Sequence, residues 1–413
     1  MSDDRLDSGM REASRLTRAG RLTEATALLQ RMPRRRSDPY PAPSGRVLPI
    51  IDRVPETTEV TDPGPSLRTG QEFKTGARNR AQRPGHAYLP EVLRHVLDWT
   101  PRTGFEPGLG GLAEPSPADA PESGQFLVRS YNNQVGSRSY KLYVPGGYRG
   151  QPLPLIIMLH GCTQSPDDFA AGTRMNSRAE EHNCFVAYPA QAASANASKC
   201  WNWFRPGDQE RGQGEPSLIA GITRQVMGDY SVDPDRVYAA GFSAGAAATA
   251  ILAVNYSDLY AAVGVHSGLA CGAASDVASA FAAMRQNQLA ARHRSSRRTG
   301  RGGSSRVVPA IVFHGDQDTT VHPHNGDQVT AQLRAGLNIN LQATVEEGRA
   351  PGGRAYTRVL HHDASGQAVF EQWVIHGAGH AWSGGSPVGS YTDPKGPDAT
   401  REMLRFFLDH PQL

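Results

Sequence analysis

From Ser139 onward the chain alternates short apolar runs with stretches of helical period. "SYKLYVP", "LPLIIMLHG", "CFVAYP", "RVYAAGF", "AAVGVHSG", "PAIVFHGD" and "AVFEQWVIHG" read as buried strands. Between them lie helix-like segments such as "GEPSLIAGITRQVMGDY" and "ATREMLRFFLDH". Apolar strands alternating with helices predict an α/β fold, a mostly parallel sheet covered on both faces. In such sheets ligands and reactive groups collect at the carboxyl ends of the strands. The informative positions are therefore those that follow each run.

The pattern is different before Gly124. Residues 11–32 carry Leu and Ala at helical spacing, with Gly20 dividing them into a short helix pair or a bent helix. That apolar face needs a partner: the main domain, a second subunit or an apolar surface. Residues 33–123 are rich in Pro, Arg, Gly and Asp, with only Ala87 to Trp99 looking helical, so they read as a largely disordered linker. The expected division is an N-terminal extension over 1–123 and one α/β domain over 124–413.

Composition narrows this picture. A chain of 413 residues accommodates one α/β domain of up to about 300 residues and an extension. Lys and Arg total 43 against 40 Asp and Glu, a formal charge of +3, so neither nucleic acid nor an anionic membrane is expected as partner. No window of roughly 18 consecutive apolar residues predicts a transmembrane helix. The N-terminus, "MSDDRLDSGMREASRLTRAG", lacks the basic start and apolar core of a secretory signal, so a cytoplasmic location is expected of the chain as written. Cys162, Cys184, Cys200 and Cys271 are too few for a disulfide framework and lack metal-site spacing. They read as reduced structural thiols, with a Cys162–Cys200 bridge as the alternative in an oxidising compartment.

The chemistry sits at strand ends. "VYAAGFSAGAAATAIL" places Gly-Phe-Ser-Ala-Gly between a strand and an alanine-rich helix, the context that makes G-x-S-x-G a nucleophile turn. Gly241 and Gly245 spare the turn two side chains, and Ser243 is left at the head of a helix whose free N–H groups favour developing negative charge. A serine hydroxyl needs a base. "AIVFHGDQDTTVHP" offers Asp316 and Asp318, and Asp318 is preferred because D-x-x-V lets its loop fold back toward the sheet. "QWVIHGAGHAW" offers His376 and His380, and His380, on the glycine-rich loop, is preferred over His376, His322 and His324. The order Ser, Asp, His is that of α/β-hydrolases. After the most apolar run, His160 reads as structural, and the backbone N–H of Cys162 pairs with that of Ala244 as candidate oxyanion donors. Trp201, Trp203 and Trp382 are candidates for an acyl-binding wall, with burial in the core as the competing explanation. No metal or organic cofactor is expected.

With these motifs placed, residues from about 125 to 410 resemble the polyhydroxybutyrate depolymerase family of esterases, which is close to feruloyl and acetylxylan esterases. The resemblance rests on "LHGCTQSPDDFAAGTRMNSRAEEHNCFVAYP", "CWNWF", "AAGFSAGAAATAILAVNYSDLYAAVGVHSGL", "FHGDQDTTVHP" and "GAGHAWSGGSPVGSYTDPKGPDAT". It implies an α/β-hydrolase that cleaves esters of 3-hydroxyalkanoate chains with Ser243, Asp318 and His380, and it maps the family's oxyanion cysteine onto Cys162. It also implies a polyester, oligoester or small ester as substrate, and an extracellular location as the alternative to the cytoplasm. A carbohydrate esterase and a noncatalytic granule-associated protein are the competing expectations.

Overall fold

The structure, a computed structural model, describes residues 123–285, 306–335 and 340–412. The expected helices at 11–32 and 87–99, and the linker around the second, lie outside the described residues. Ten strands form one sheet: β1 (Gln125–Asn133), β2 (Gly136–Val144), β3 (Leu153–Leu159), β4 (Phe185–Pro189), β5 (Val232–Phe242), β6 (Ala262–His266), β7 (Ala310–Gly315), β8 (Gln342–Arg349), β9 (Ala355–His362) and β10 (Ala368–Ile375). Their spatial order is β1-β2-β4-β3-β5-β6-β7-β10-β9-β8. The six strands from β4 to β10 in that order run parallel. The flanking pairs are antiparallel.

The parallel centre follows from the sequence. A strand buried on both faces reads as a continuous apolar run, and β3, β4, β6 and β7 are buried at every residue. Alternate side chains of β3 enter different cores. Leu155, Ile157 and Leu159 join Ile219, Ile222, Ile251 and Val329 on one face. Ile156 and Met158 join Phe169, Met175, Met403 and Phe407 on the other. Each such aliphatic side chain contributes about 1.5–3 kcal/mol on full burial.

Helices α1 (Pro166–Thr173), α2 (Met175–His182) and α7 (Ala399–Leu408) supply the second of these faces. Helices α3 (Gly214–Asp229), α4 (Ala244–Asn255), α5 (Val277–Met284) and α6 (His324–Arg334) supply the first. Side-chain caps set several starts: the Ser165 hydroxyl accepts from the Asp168 N–H, and the Asp398 carboxylate from the Arg401 N–H. A short pair, β11 (Trp382–Ser383) and β12 (Thr392–Asp393), lies beyond β10 in the chain. Among the described residues no helix is long and apolar enough to cross a membrane.

Candidate active site

Ser243 sits between β5 and α4 with φ 55° and ψ −116°, a conformation that costs a β-carbon-bearing residue on the order of 1–3 kcal/mol. Close packing holds it there. A β-carbon on Gly241 would lie 2.4 Å from the carbonyl of Gly245, and one on Gly245 would lie 2.0 Å from the Leu159 carbonyl oxygen. The Ser243 N–H donates to the His266 carbonyl at 2.9 Å, which fixes the turn to the end of β6. The serine is 9% exposed. Its position at the start of a twelve-residue helix puts the first free N–H groups, Ala244 foremost, beside it.

Asp318 follows β7 and His380 follows β10, neighbouring parallel strands whose carboxyl ends lie side by side. The Nδ1–H of His380 donates to Asp318 Oδ2 at 2.6 Å. The other carboxylate oxygen accepts from the N–H groups of Thr320 and Val321 at 2.9 and 2.8 Å, so the D-x-x-V loop does turn back on its own aspartate. Burial alone would raise this carboxyl. The charge of His380, with hydrogen bonds from His314 and His380, outweighs burial and holds it below the ordinary carboxylate range. The His380 ring rests 4.8 Å from the ring of Phe242, the residue immediately before Ser243.

The loop after β3 completes the neighbourhood. Gly245 presses on the carbonyls of Leu159 and His160, and a β-carbon on Gly161 would meet the Phe242 ring at 2.9 Å. The nucleophile turn, from Phe242 to Gly245, and residues 159–161 are therefore in contact. The Gly161 N–H donates to the Gln164 side chain and the Thr163 N–H to the Ser198 carbonyl. His160 is buried and structural: its Nδ1–H donates to the Gly161 carbonyl at 2.7 Å while its Nε2 accepts from the Gln191 N–H at 3.1 Å. Burial lowers its pKa to about 4, so the ring is neutral at neutral pH.

The remaining sequence candidates fall elsewhere. Asp316 braces a different histidine, His376, at 3.0 Å, and His376 also meets the Thr357 hydroxyl at 2.9 Å. This is a hydroxyl, imidazole and carboxylate on an exposed surface. His324 pairs with Asp327 on α6. The tryptophans considered for an acyl wall are buried: Trp201, Trp203 and Trp382 are 0%, 7% and 1% exposed. Two of these indole N–H groups find internal acceptors, the His160 carbonyl for Trp201 and the Thr400 hydroxyl for Trp382. A satisfied indole is free to fill a core. The expectation of reduced thiols is corrected for one pair, because Cys162 and Cys200 form a disulfide.

Three residues that sequence reasoning passed over belong to the site. His314 donates from Nε2 to the Val321 carbonyl at 2.8 Å and lies 3.4 Å from Asp318 Oδ2, bracing the aspartate from behind. His266 accepts from the Ser383 N–H and stacks on Trp382, and burial keeps it well below its ordinary pKa. Tyr391 is exposed on the rim with φ 53°, its hydroxyl 3.3 Å from that of Thr163. Its loop is tied down where Ser390 donates twice to Asp168. The sequence signal for His314 was its place four residues before Asp318; nothing comparable marks Tyr391.

Residues 138–355, more than half of the chain, match the family model described as Esterase PHB depolymerase. The chain is 32% identical over 264 residues to poly(3-hydroxyalkanoate) depolymerase C of Paucimonas lemoignei, an alignment covering 63% of this chain and 61% of that protein. It is 30% identical over 265 residues to feruloyl esterase B of Thermothelomyces thermophilus, covering 61% of this chain and 87% of the relative. Among solved structures, an acetyl xylan esterase from Aspergillus awamori superposes with a TM-score of 0.52 at 18% identity, covering 69% of this chain and 99% of that one. That likeness shows the α/β-hydrolase fold.

Proposed function

We propose, for a chain that belongs to the Esterase PHB depolymerase family, that it is a serine esterase acting on poly- or oligo(3-hydroxyalkanoate) or similar short-acyl esters. The observation that carries this is the short Asp318–His380 hydrogen bond, set against Phe242 beside a strained serine at a helix head. In the proposed first step His380 Nε2 takes the Ser243 proton as the hydroxyl oxygen attacks the ester carbonyl. The C–O bond to the alcohol then breaks, and the same proton passes to the leaving alkoxide. Water repeats the route to release the acid and free Ser243. Asp318 holds the imidazole in the tautomer that leaves Nε2 able to accept, and stabilises the imidazolium. The N–H groups of Cys162 and Ala244 receive the oxyanion. Cys162 acts through its backbone, since its sulfur is committed to Cys200.

The named depolymerase relative supports the polyester substrate, and the feruloyl esterase relative, covered over most of its length, supports aromatic-acid esters as the second reading. The disulfide supports action in an oxidising compartment. Initial rates on 3-hydroxybutyrate oligomers, p-nitrophenyl butyrate and methyl ferulate, for wild type and Ser243→Ala, test the proposal. We expect the oligomers to be preferred and the alanine variant to be inactive on all three. Preference for ferulate overturns the substrate; retained activity in Ser243→Ala overturns the mechanism.

A further inference from the structure

We propose that Glu215 is a positioning residue for the oxyanion donor, acting through the segment 191–202 to hold the loop at Gly161 and Cys162. This rests on the reading of the Cys162 N–H as an oxyanion donor. Glu215 lies in the first turn of helix α3 and is 5% exposed. Its Oε1 accepts from Asn202 Nδ2 at 2.7 Å, from Arg138 Nη2 at 3.4 Å and from Gln191 Nε2. Its Oε2 accepts from the Asn202 backbone N–H at 2.6 Å. Four donors converge on one carboxylate, and two of its three partner residues are the ends of the segment.

The segment in turn grips the loop after β3 at four places. Cys200 is bonded to Cys162 through sulfur. The Trp201 indole N–H donates to the His160 carbonyl at 3.1 Å, and the Gln191 N–H to His160 Nε2 at 3.1 Å. The Ser198 carbonyl accepts from the Thr163 N–H at 2.7 Å. The side chain of Gln191 also donates to the Cys200 carbonyl at 2.9 Å, so Glu215 and the disulfide share a partner. Among the described residues the Cys162 N–H donates to no protein acceptor, while the N–H groups on both sides of it are occupied.

Burying a carboxylate is costly unless its lone pairs are filled. Burial, and then the charge of Asp208, push the Glu215 carboxyl above its ordinary range, against the hydrogen bonds from Gln191 and Asn202. A core that needed only volume there would be served by an apolar side chain. What a carboxylate adds is four acceptor directions that fix both ends of a loop lacking helix or strand. Oxyanion donors stabilise a transition state only when preorganised, and small misplacements are felt in rate rather than in substrate binding.

Glu215→Gln in the full chain isolates this. Its amide keeps the volume, yet the NH2 group must face either Asn202 N–H or the three donors now on Oε1. We expect kcat on p-nitrophenyl butyrate to fall about 10- to 100-fold, a fraction of what loss of a whole donor costs. KM should stay within about twofold, since ground-state binding is untouched. The inhibition constant of butane-1-boronic acid, which forms a tetrahedral adduct on the serine, should rise in step with the fall in kcat. An unchanged kcat, or a loss of thermal stability with boronate affinity intact, overturns the inference. If Glu215→Gln does not fold, Asn202→Ala removes one donor to the same carboxylate, and a several-fold fall in kcat at constant KM is expected on the scale of a lost hydrogen bond; no change overturns the inference. Cys162→Pro, read against Cys162→Ala to account for the lost disulfide, tests the underlying premise separately. If removing that N–H leaves boronate affinity at the level of Cys162→Ala, the oxyanion premise fails. If it weakens the boronate and Glu215→Gln does not, only the role of Glu215 fails.

Discussion

Replacing Asp318 by asparagine changes one atom and, on this geometry, reverses a hydrogen bond. Oδ1 of the aspartate accepts from two backbone N–H groups, at 2.9 and 2.8 Å, so the carbonyl oxygen of an asparagine must take that place. The new NH2 group then faces His380 Nδ1, where a carboxylate oxygen now accepts at 2.6 Å. Two donors cannot share that distance. The imidazole moves its proton to Nε2 and can no longer accept from Ser243. Wrong-tautomer substitutions of this kind cost about 10,000-fold in kcat, roughly 5.5 kcal/mol of transition-state stabilisation. The assay is the initial rate of p-nitrophenyl butyrate hydrolysis at saturating substrate, with Asp316→Asn as the comparison. Asp316 braces the exposed His376, and its loss should leave kcat within about fivefold of wild type, the scale of a surface ion pair. Asp318→Asn activity within roughly tenfold of wild type, less than 1.4 kcal/mol, would refute the assignment. So would a crippled Asp316→Asn beside an active Asp318→Asn.

Other consequences concern stability and packing. Gly245→Ala drives a β-carbon to 2.0 Å from the Leu159 carbonyl oxygen, so overpacking should cost at least about 1–3 kcal/mol, read as a lowered midpoint in urea. His160 is held neutral with its pKa near 4. The unfolded chain takes up that proton near pH 6.5 while the folded one does not, so stability falls as pH drops from about 6.5 to 4, by on the order of 3 kcal/mol from this group. Urea midpoints across that window should flatten in His160→Gln, and an unchanged slope would remove His160 as the cause. The Cys162–Cys200 bond closes a separation of 38 residues, worth about 4 kcal/mol in the chain-entropy account. Cys162→Ala/Cys200→Ala should lose stability on that scale, with denaturant titrations as the check.

The parts of this architecture that repeat along the chain were legible, and the parts that depend on distant partners were not. The runs "LPLIIML" in β3, "VYAAGF" in β5 and "AIVF" in β7 are apolar at consecutive positions because both faces of the sheet are covered there. The hairpin of β8 and β9 gives no such signal: β8, "QATVEEGR", is exposed almost throughout, so neither face needs apolar residues. Ser243 was conspicuous because small residues must flank a turn that meets the backbone after β3 so closely. Glu215 was not, because a single Glu at the head of an apolar helix looks like an ordinary first-turn acid. Its partners Arg138, Gln191 and Asn202 lie 77, 24 and 13 residues away. The tryptophans were ambiguous for a related reason. An indole in a loop reads equally as a binding wall or as core until the acceptor for its N–H is known, and for Trp201 that acceptor is 41 residues upstream.

The most direct measurement is to treat the folded protein with a fluorophosphonate and locate the adduct by peptide mass spectrometry. One adduct is expected, on the peptide carrying Ser243, with esterase activity lost in proportion to labelling and no adduct in Ser243→Ala. An active enzyme whose label falls on another residue, such as Thr357 beside His376, or which takes no label at all, would contradict that expectation.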